Sequence, residues 1–496
     1  MDRTHSLTVW AVYVGSLLLA SYLGYTVAVA QGAQSAVVIT GVAALLVAPM
    51  MLRGHQAALL FCWNSTLGLH LLPTQMPAWL LMGVVTLGIT ALQRALNRQS
   101  ELNVARTLTT PMLIFSGVVV ATMLANGGLG VQWMGSGELA GGRKYLYILG
   151  AVLGYFAISL QAIPRERAAL YGSLFFLGGL TGFVGPLGVY LGGPFQYLMM
   201  FFSPVEGVAV YDDSFRVKGM SYVGNALFGV MLARYGFGGT FHTRHFWRPL
   251  VLLLAMVLGL ISGYRNLLVM YGGTLGLLFL LEGWHRTKWL AIWVIGCTVA
   301  MGVLYSSASR LPTPVQRALA VIPLMPVSSV VRLDAAGTIE WRQELWQALL
   351  QDVPRYLWVG KGLTISSRDM EWAETLARFG GKSWDYAYVT GEHHNGFLSV
   401  IISFGIWGLL AFLWLLGAGL LVLWRNWKHG RPDLVNINAL LLCIFVCWIL
   451  LFFSYWGTLY WLMRDFMGIL GLSVALNYGV ASNPRTAGTL DERARD

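Results

Sequence analysis

The sequence predicts an all-α protein: a polytopic transmembrane helix bundle of about 12–14 spans with one periplasmic, mostly helical loop subdomain. Three observations predict it. Of 496 residues, 56% are hydrophobic and only 11% are charged, against roughly 25% charged in soluble domains. Apolar runs near the ~20 residues that cross a bilayer recur along most of the chain. Basic residues fall on alternate connections between those runs, the asymmetry that orients membrane proteins.

Taken in order, spans are expected at roughly 7–30, 36–52, 56–73, 77–95, 111–126, 145–163, 169–191, 222–239, 249–263, 267–283, 289–308, 397–424, 434–457 and 459–480. The shorter runs suit half-helices or tilted pieces as well as full spans. The first run, about 24 residues, exceeds the apolar core of a signal peptide, and Ala28-Val29-Ala30 is a weak cleavage site, so it reads as the first span. The expected organisation is a transmembrane bundle at 1–308 (about 11 spans), a loop subdomain at 309–393, C-terminal transmembrane helices at 394–480 and a polar tail at 481–496. Within the loop, 338–353 places Trp341, Leu345 and Leu349 on one helical face, with Thr338 as cap and Pro354 as stop. Such a helix lies at the membrane–water boundary and roofs a cavity. A second helical stretch, 368–379, ends at Gly380-Gly381. The aromatic segment Trp384-Asp385-Tyr386-Ala387-Tyr388 then suits sugar stacking and interface anchoring equally.

With the N-terminus in the cytoplasm, alternate connections carry Arg53, then Arg94, Arg98 and Arg106, then Arg165 and Arg167. Arg244 and Arg248, Arg286 and Lys288, and Arg425, Lys428 and Arg431 continue the series, whereas 31–35 and 74–76 carry no Lys or Arg. Both termini are therefore expected on the cytoplasmic side. The net charge of +11 is then mostly a topology signal. No nucleic-acid partner is expected, because that needs basic residues clustered on one soluble surface. Cys62, Cys297, Cys443 and Cys447 all fall inside apolar runs, which gives neither a disulfide framework nor metal-ligand spacing. The adjacent acids Asp212 and Asp213 have no third ligand nearby in sequence, so no metal is expected.

Orientation leaves the basic residues of the outer side unexplained: Arg143 and Lys144, Arg216 and Lys218, Arg265, Arg464, and those of the loop. Ionisable groups at membrane depth usually pair with one another or face a cavity. Arg464 has a partner beside it in Asp465 or on a neighbouring helix; Arg265, between two apolar runs, and Arg216 suit an anionic ligand. At the end of the loop stands Glu392-His393-His394-Asn395-Gly396. A neutral imidazole can take a proton at neutral pH. Neighbouring helical residues point about 100° apart, so one of the two histidines faces the cavity, with Glu392 orienting it or raising its pKa. The bland alternative is that the pair caps the following helix. Arg342 has three readings: contact with an anionic ligand, a pair with Glu344, or a lipid headgroup.

These residues also carry a family resemblance. His394-Asn395, nine residues, then Gly405-Ile-Trp-Gly408 is similar to the His-Asn-x9-Gly-x-x-Gly signature of the O-antigen ligase and O-antigen polymerase superfamily. Glu340-Trp-Arg-Gln-Glu-Leu-Trp346 with Pro354 and Val359-Gly-Lys-Gly362 resembles that family's Arg…Trp…Pro…Gly-x-Gly run. Arg216-x-x-Gly219 with Asn225, and Ser262-Gly-Tyr-Arg265 with Tyr264 where Ser is usual, resemble two further elements. The match covers roughly 210–410, in the family's order.

The resemblance implies a GT-C-like membrane glycosyltransferase. Such enzymes pass a glycan from undecaprenyl diphosphate to an acceptor hydroxyl on the periplasmic side, with no nucleotide sugar, cofactor or essential metal. It assigns the diphosphate to Arg216 and Arg265 and the general base to His394, with His393 as competitor and Asn395 beside it. The residues alone add Arg143 and Lys144 as diphosphate contacts; Arg342, Lys218 and Lys361 lie in the matched elements, which do not say whether they touch ligand, and Arg342 is carried as a candidate diphosphate contact. Arginine suits the role because its fork matches phosphate oxygens. The resemblance also implies a bacterial inner membrane. The partners implied are the undecaprenyl-diphosphate-linked glycan donor, a glycan, lipid or protein acceptor, and membrane lipid. A ligase would move a finished polymer onto another acceptor, and a polymerase would lengthen O-antigen or exopolysaccharide; the motifs do not separate them. A transporter or flippase of the same lipid-linked sugar is the alternative from another class; it calls for midplane charges and interrupted helices in two related halves.

Overall fold

The structure, a computed structural model, describes residues 21, 51–69, 76–96, 103–129, 141–202, 219–365, 369, 371–372, 375 and 384–481. Two compact units divide the chain: Met1–Ala58 and Leu59–Asp496. In the first, residues 51–58 are helical, and the spans expected at 7–30 and 36–52 lie almost wholly outside the described residues, as does the cleavage-site question. The second unit includes the loop 309–393.

The described residues of the second unit are mostly helical. Its helices are Ala78–Leu96 (α1), Arg106–Ala125 (α2), Gly141–Ser159 (α3), Ala168–Leu177 (α4), Val184–Leu191 (α5), Met220–Thr240 (α6), Trp247–Ile261 (α7) and Arg265–Leu281 (α8). Trp289–Ser307 (α9), Thr313–Leu319 (α10), Ser329–Tyr356 (α11), Asp385–Thr390 (α12), Gly396–His429 (α13), Val435–Ser454 (α14) and Leu459–Leu476 (α15) follow. Among the described residues the only strands are Gly68–Leu69 (β1) and Met76–Pro77 (β2), antiparallel with Gly68 opposite Pro77. Among the described residues, seven helical runs are long and apolar enough to cross a membrane, and α7 and α8 are shorter apolar helices. This is an all-α, multi-pass membrane architecture.

Most expected spans fall within a few residues of a helix. The run at 56–73 does not: its helix stops at Trp63, and the backbone beyond it turns into β1. The run at 169–191 is interrupted by a 3-10 segment, Gly178–Phe183. There Gly178 lies against the Phe61 carbonyl, and Gly179 and Gly182 lie against Tyr222, approaches too close for a side chain. Its core is aromatic: Phe412 on α13, Phe445 and Phe452 on α14 and Phe466 on α15 are fully buried. Their rings meet at 5.3–6.2 Å, the edge-on and tilted contacts that aromatic quadrupoles favour. By contrast, α9 buries none of its 19 residues, as suits an apolar helix facing lipid.

In the loop, the expected helix is real but longer. It starts at Ser329, because the Ser328 hydroxyl accepts from the Val331 N–H and caps it. Thr338 is internal, and its hydroxyl donates to the Asp334 carbonyl at 2.7 Å. Pro354 sits in the last turn rather than beyond it. The expected face is used against protein: Leu345 and Leu349 are buried with Ala387 of α12 and with Leu398 and Ile402 of α13, and Trp341 packs at the edge. A second small core, Ala308, Leu319, Met325, Val327 and Val331, joins α10 to the first turn of α11. Of the stretch 368–379, residues 369, 371–372 and 375 are helical and the rest lies outside the described residues.

Candidate functional site

The start of α13 sets the site. Asn395 is extended (φ −146°, ψ 121°), and its Oδ1 accepts from the Leu398 N–H at 3.2 Å. Asn395, not the histidine pair, is therefore the cap, which stabilises by about 1 kcal/mol. His394 just before it has φ +52°, a left-handed conformation that costs a non-glycine residue roughly 1 kcal/mol. Such backbone strain concentrates at functional sites.

The two imidazoles stand in different surroundings. His393 is buried, and its carbonyl accepts from Trp346 Nε1 at 2.9 Å. Burial, then the charges of Lys361 and Lys144, push its pKa down to about 3. His394 is half-buried and meets the Trp341 ring edge-on at 5.3 Å. Burial, then the Arg342 charge, brings it down to about 4. Both Nδ1 atoms are enclosed without a hydrogen-bond partner. Both rings are thus neutral at neutral pH, and His394 is the more accessible.

Arg342 lies with its Cζ 3.9 Å over the Tyr455 ring and 5.5 Å from that of Trp341. Its Nε and one Nη1 are buried without a partner. Burial lowers its pKa from the ordinary guanidinium value; Tyr455 offsets this and the Arg265 charge adds to it. The expected alternative partner Glu344 is engaged elsewhere, accepting from Trp384 Nε1 at 2.8 Å. Arg265 opens α8 after the turn Ser262-Gly263-Tyr264, in which Gly263 takes φ +75°. It pairs with Asp334 at 2.7 Å, and the other oxygen of that carboxylate pairs with Arg317 at 2.9 Å. Arg265 Nε also donates to the Arg317 carbonyl at 3.1 Å. Arg265, Arg317, Arg342, Tyr455, Trp341 and His394 thus gather with one carboxylate among them.

Arg143 and Lys144 are not in that group. Arg143 donates to the Tyr147 hydroxyl at 2.8 Å. Lys144 is buried, donates to the Thr390 carbonyl and sits 5.1 Å from the Tyr460 ring. Tyr460 in turn donates to Glu392 at 2.7 Å. Glu392 is therefore committed to Tyr460, on the His393 side. Arg464 forms its expected local pair with Asp465 at 3.3 Å. Asn225 accepts from the Tyr271 hydroxyl at 2.8 Å. Arg216 and Lys218 lie outside the described residues, as do Asp212 and Asp213. Among the described residues no three His, Cys, Asp or Glu side chains converge.

The glycines of the signature have a structural task. α13 is broken at Gly405 (φ +68°, ψ −170°), a conformation essentially reserved for glycine. The break frees the Ile402 and Ser403 carbonyls, which accept from the Lys361 and Gly362 N–H groups at 2.7 and 2.9 Å. The freed Ile406 N–H donates to the Leu357 carbonyl at 2.7 Å. The Gly360–Gly362 segment, just past α11, is thereby laid into the break. An open apolar pocket of about 420 Å³, lined by Leu277, Leu281, Leu420, Trp424 and Cys443 among others, lies at the far end of α8 from Arg265.

Asp334 and Tyr455 were missed in the sequence, and Arg317 was covered only among the basic residues of the loop, without a role. No local signal distinguishes them, since each reaches the site only through folding. No protein-family model matches this chain, and no curated protein matches it in sequence.

Proposed function

We propose that the chain is a membrane glycosyltransferase that moves a glycan from undecaprenyl diphosphate to an acceptor hydroxyl. One observation carries the reading. A half-buried, neutral imidazole at His394 lies within the field of Arg342, whose guanidinium is buried with two nitrogens unpartnered. A base beside a buried guanidinium with two nitrogens still open to an acceptor suits a reaction that takes a proton from a hydroxyl and leaves an anion. The likeness of 210–410 to the ligase and polymerase signature supports it.

In this mechanism the acceptor hydroxyl gives its proton to His394 as its oxygen attacks the sugar C1. The bond from C1 to the diphosphate oxygen breaks, and its electron pair leaves with the diphosphate. Arg342 and Arg265, with Arg216 by resemblance, meet that charge, and a single displacement inverts C1. His394 is preferred to His393, which is more deeply buried and flanked by lysines. The site is assigned to the periplasmic side on the positive-inside pattern.

The test supplies purified protein in lipid with an undecaprenyl-diphosphate-linked oligosaccharide and measures release of undecaprenyl diphosphate. Release with lengthened glycans marks a polymerase; release only with a distinct acceptor marks a ligase. His394→Ala should lower release by about 10²–10⁴-fold while donor binding persists. Release by His394→Ala at the wild-type rate removes the base assignment. Lipid crossing the bilayer with no release under any acceptor overturns the transferase reading in favour of transport.

A further inference from the structure

Asp334 sits between two guanidiniums, one oxygen to each, 2.7 Å from Arg265 and 2.9 Å from Arg317. The arginines are nearly enclosed, their side chains 10% and 12% exposed, whereas the carboxylate is 36% exposed. The cations are the fixed wall and the anion is the outward-facing layer. The two arginines are also linked directly, since Arg265 Nε donates to the Arg317 carbonyl. Arg317 is further fixed by α10, whose Leu319 belongs to the small core beneath the first turn of α11. Two oxygens of one planar group, each on its own guanidinium, is also how a phosphoryl group is gripped. Asp334 and Arg342 are eight residues apart on α11, about 12 Å along its axis, and the Arg265 charge reaches Arg342 across that gap.

We propose that Asp334 is an exchangeable anion: the diphosphate of the donor takes over its two guanidiniums, which makes Arg317 a diphosphate ligand beside Arg265. This rests on the diphosphate-transfer reading. The displaced carboxylate turns toward its exposed side. The exchange leaves Arg265, Arg317 and Arg342 facing the diphosphate without a competing carboxylate, so it raises the positive field at the site on binding. Asp334 thereby disfavours anions that cannot engage both arginines at once.

Binding of inorganic pyrophosphate to the full chain in detergent, followed by calorimetry, tests this. Asp334→Asn should bind about tenfold tighter than wild type and Arg317→Gln about tenfold weaker, a change of about 1.4 kcal/mol in each direction. Raising salt should shrink both differences. Equal affinity in Asp334→Asn with a lowered melting temperature makes the carboxylate a structural bridge and overturns the exchange. Arg317→Gln keeps the Arg265–Asp334 pair and decides alone should Asp334→Asn not fold: unchanged affinity overturns the proposal. No pyrophosphate binding by wild type or Asp334→Asn also overturns it. Normal glycan release with unshifted affinities sinks the exchange and leaves the transferase reading standing. Shifted affinities without glycan release keep the anion site and sink the transferase reading.

Discussion

Replacing Arg342 with Gln should move the acid limb of the pH–rate profile. In the wild type, burial and Arg342 together take the His394 pKa from the ordinary 6.5 to about 4, and burial is the larger cause. At most half of that fall belongs to Arg342, so the variant's limb should rise to about 5 and no further. The assay is kcat/KM for undecaprenyl diphosphate release between pH 4.5 and 8, which reports the free enzyme. A diphosphate substituted at both ends carries only strongly acidic hydroxyls, so the donor does not titrate in this window. Wild type should lose almost nothing between pH 7.5 and 5.5, where an ordinary histidine would lose about tenfold. At pH 4.5 wild type should keep roughly three-quarters of its plateau, and Arg342→Gln roughly a quarter, after each is scaled to its own plateau. The limb in kcat should lie higher than the limb in kcat/KM, because a bound diphosphate neutralises Arg342 and restores basicity to the imidazole. A wild-type limb near 6.5 would refute the burial of His394, and a limb that Arg342→Gln leaves in place would refute its coupling to Arg342.

Two further substitutions probe the frame. Gly405→Ala forces a side chain into a backbone region that costs about 1–3 kcal/mol, and its Cβ would stand 2.9 and 3.0 Å from the Leu357 and Trp358 carbonyls. Its melting temperature in detergent should fall by several degrees, and an unchanged value would mean that α13 runs unbroken. Asn395→Ala removes the cap of α13 and should cost about 1 kcal/mol, whereas Asn395→Asp should retain the cap; denaturation curves of the two compare directly, and equal losses would contradict the capping role.

Hydropathy located α1, α3, α6 to α9, α14 and α15 to within a few residues, because lipid-facing and core-facing residues are both apolar in a membrane. It misjudged the run at 56–73, where apolar residues continue past Trp63 into a strand pair that no period in the sequence announces. The break in α13 was legible only as a pair of motif glycines, since a φ of +68° is a fact of backbone and not of composition. In the site, His394, Arg342 and Arg265 stood out because charge is conspicuous in an apolar chain. Asp334, although charged, did not, for it acts 69 residues from Arg265 and ordinary sequence patterns see only neighbours. Lys144 was conspicuous for the same reason as the arginines, yet folding set it beside Thr390 and Tyr460, on the His393 side.

The site also poses an electrostatic problem that the fold resolves. Arg265 and Arg342 repel one another, and Arg342 opposes protonation of His394, so mutual attraction does not hold these groups together. Backbone does. The α11 helix is tied to α13 twice: Trp346 Nε1 holds the His393 carbonyl, and the segment just past α11 gives three backbone hydrogen bonds with the break at Gly405. Leu345 and Leu349 packed on Leu398 and Ile402 fill the space between the two ties. Trp341 and Arg342 are therefore fixed to His394 by hydrogen bonds and apolar packing that are indifferent to charge. These ties hold Arg342 beside His394 without the help of charge, whereas Arg265 is held against α11 by its ion pair with Asp334. On the proposed transfer, preorganisation of this kind would let Arg342 meet the leaving diphosphate without rearranging. The same geometry accounts for Gly405 and Asn395 lying in one short stretch with His394: they build the joint that sets where the histidine is.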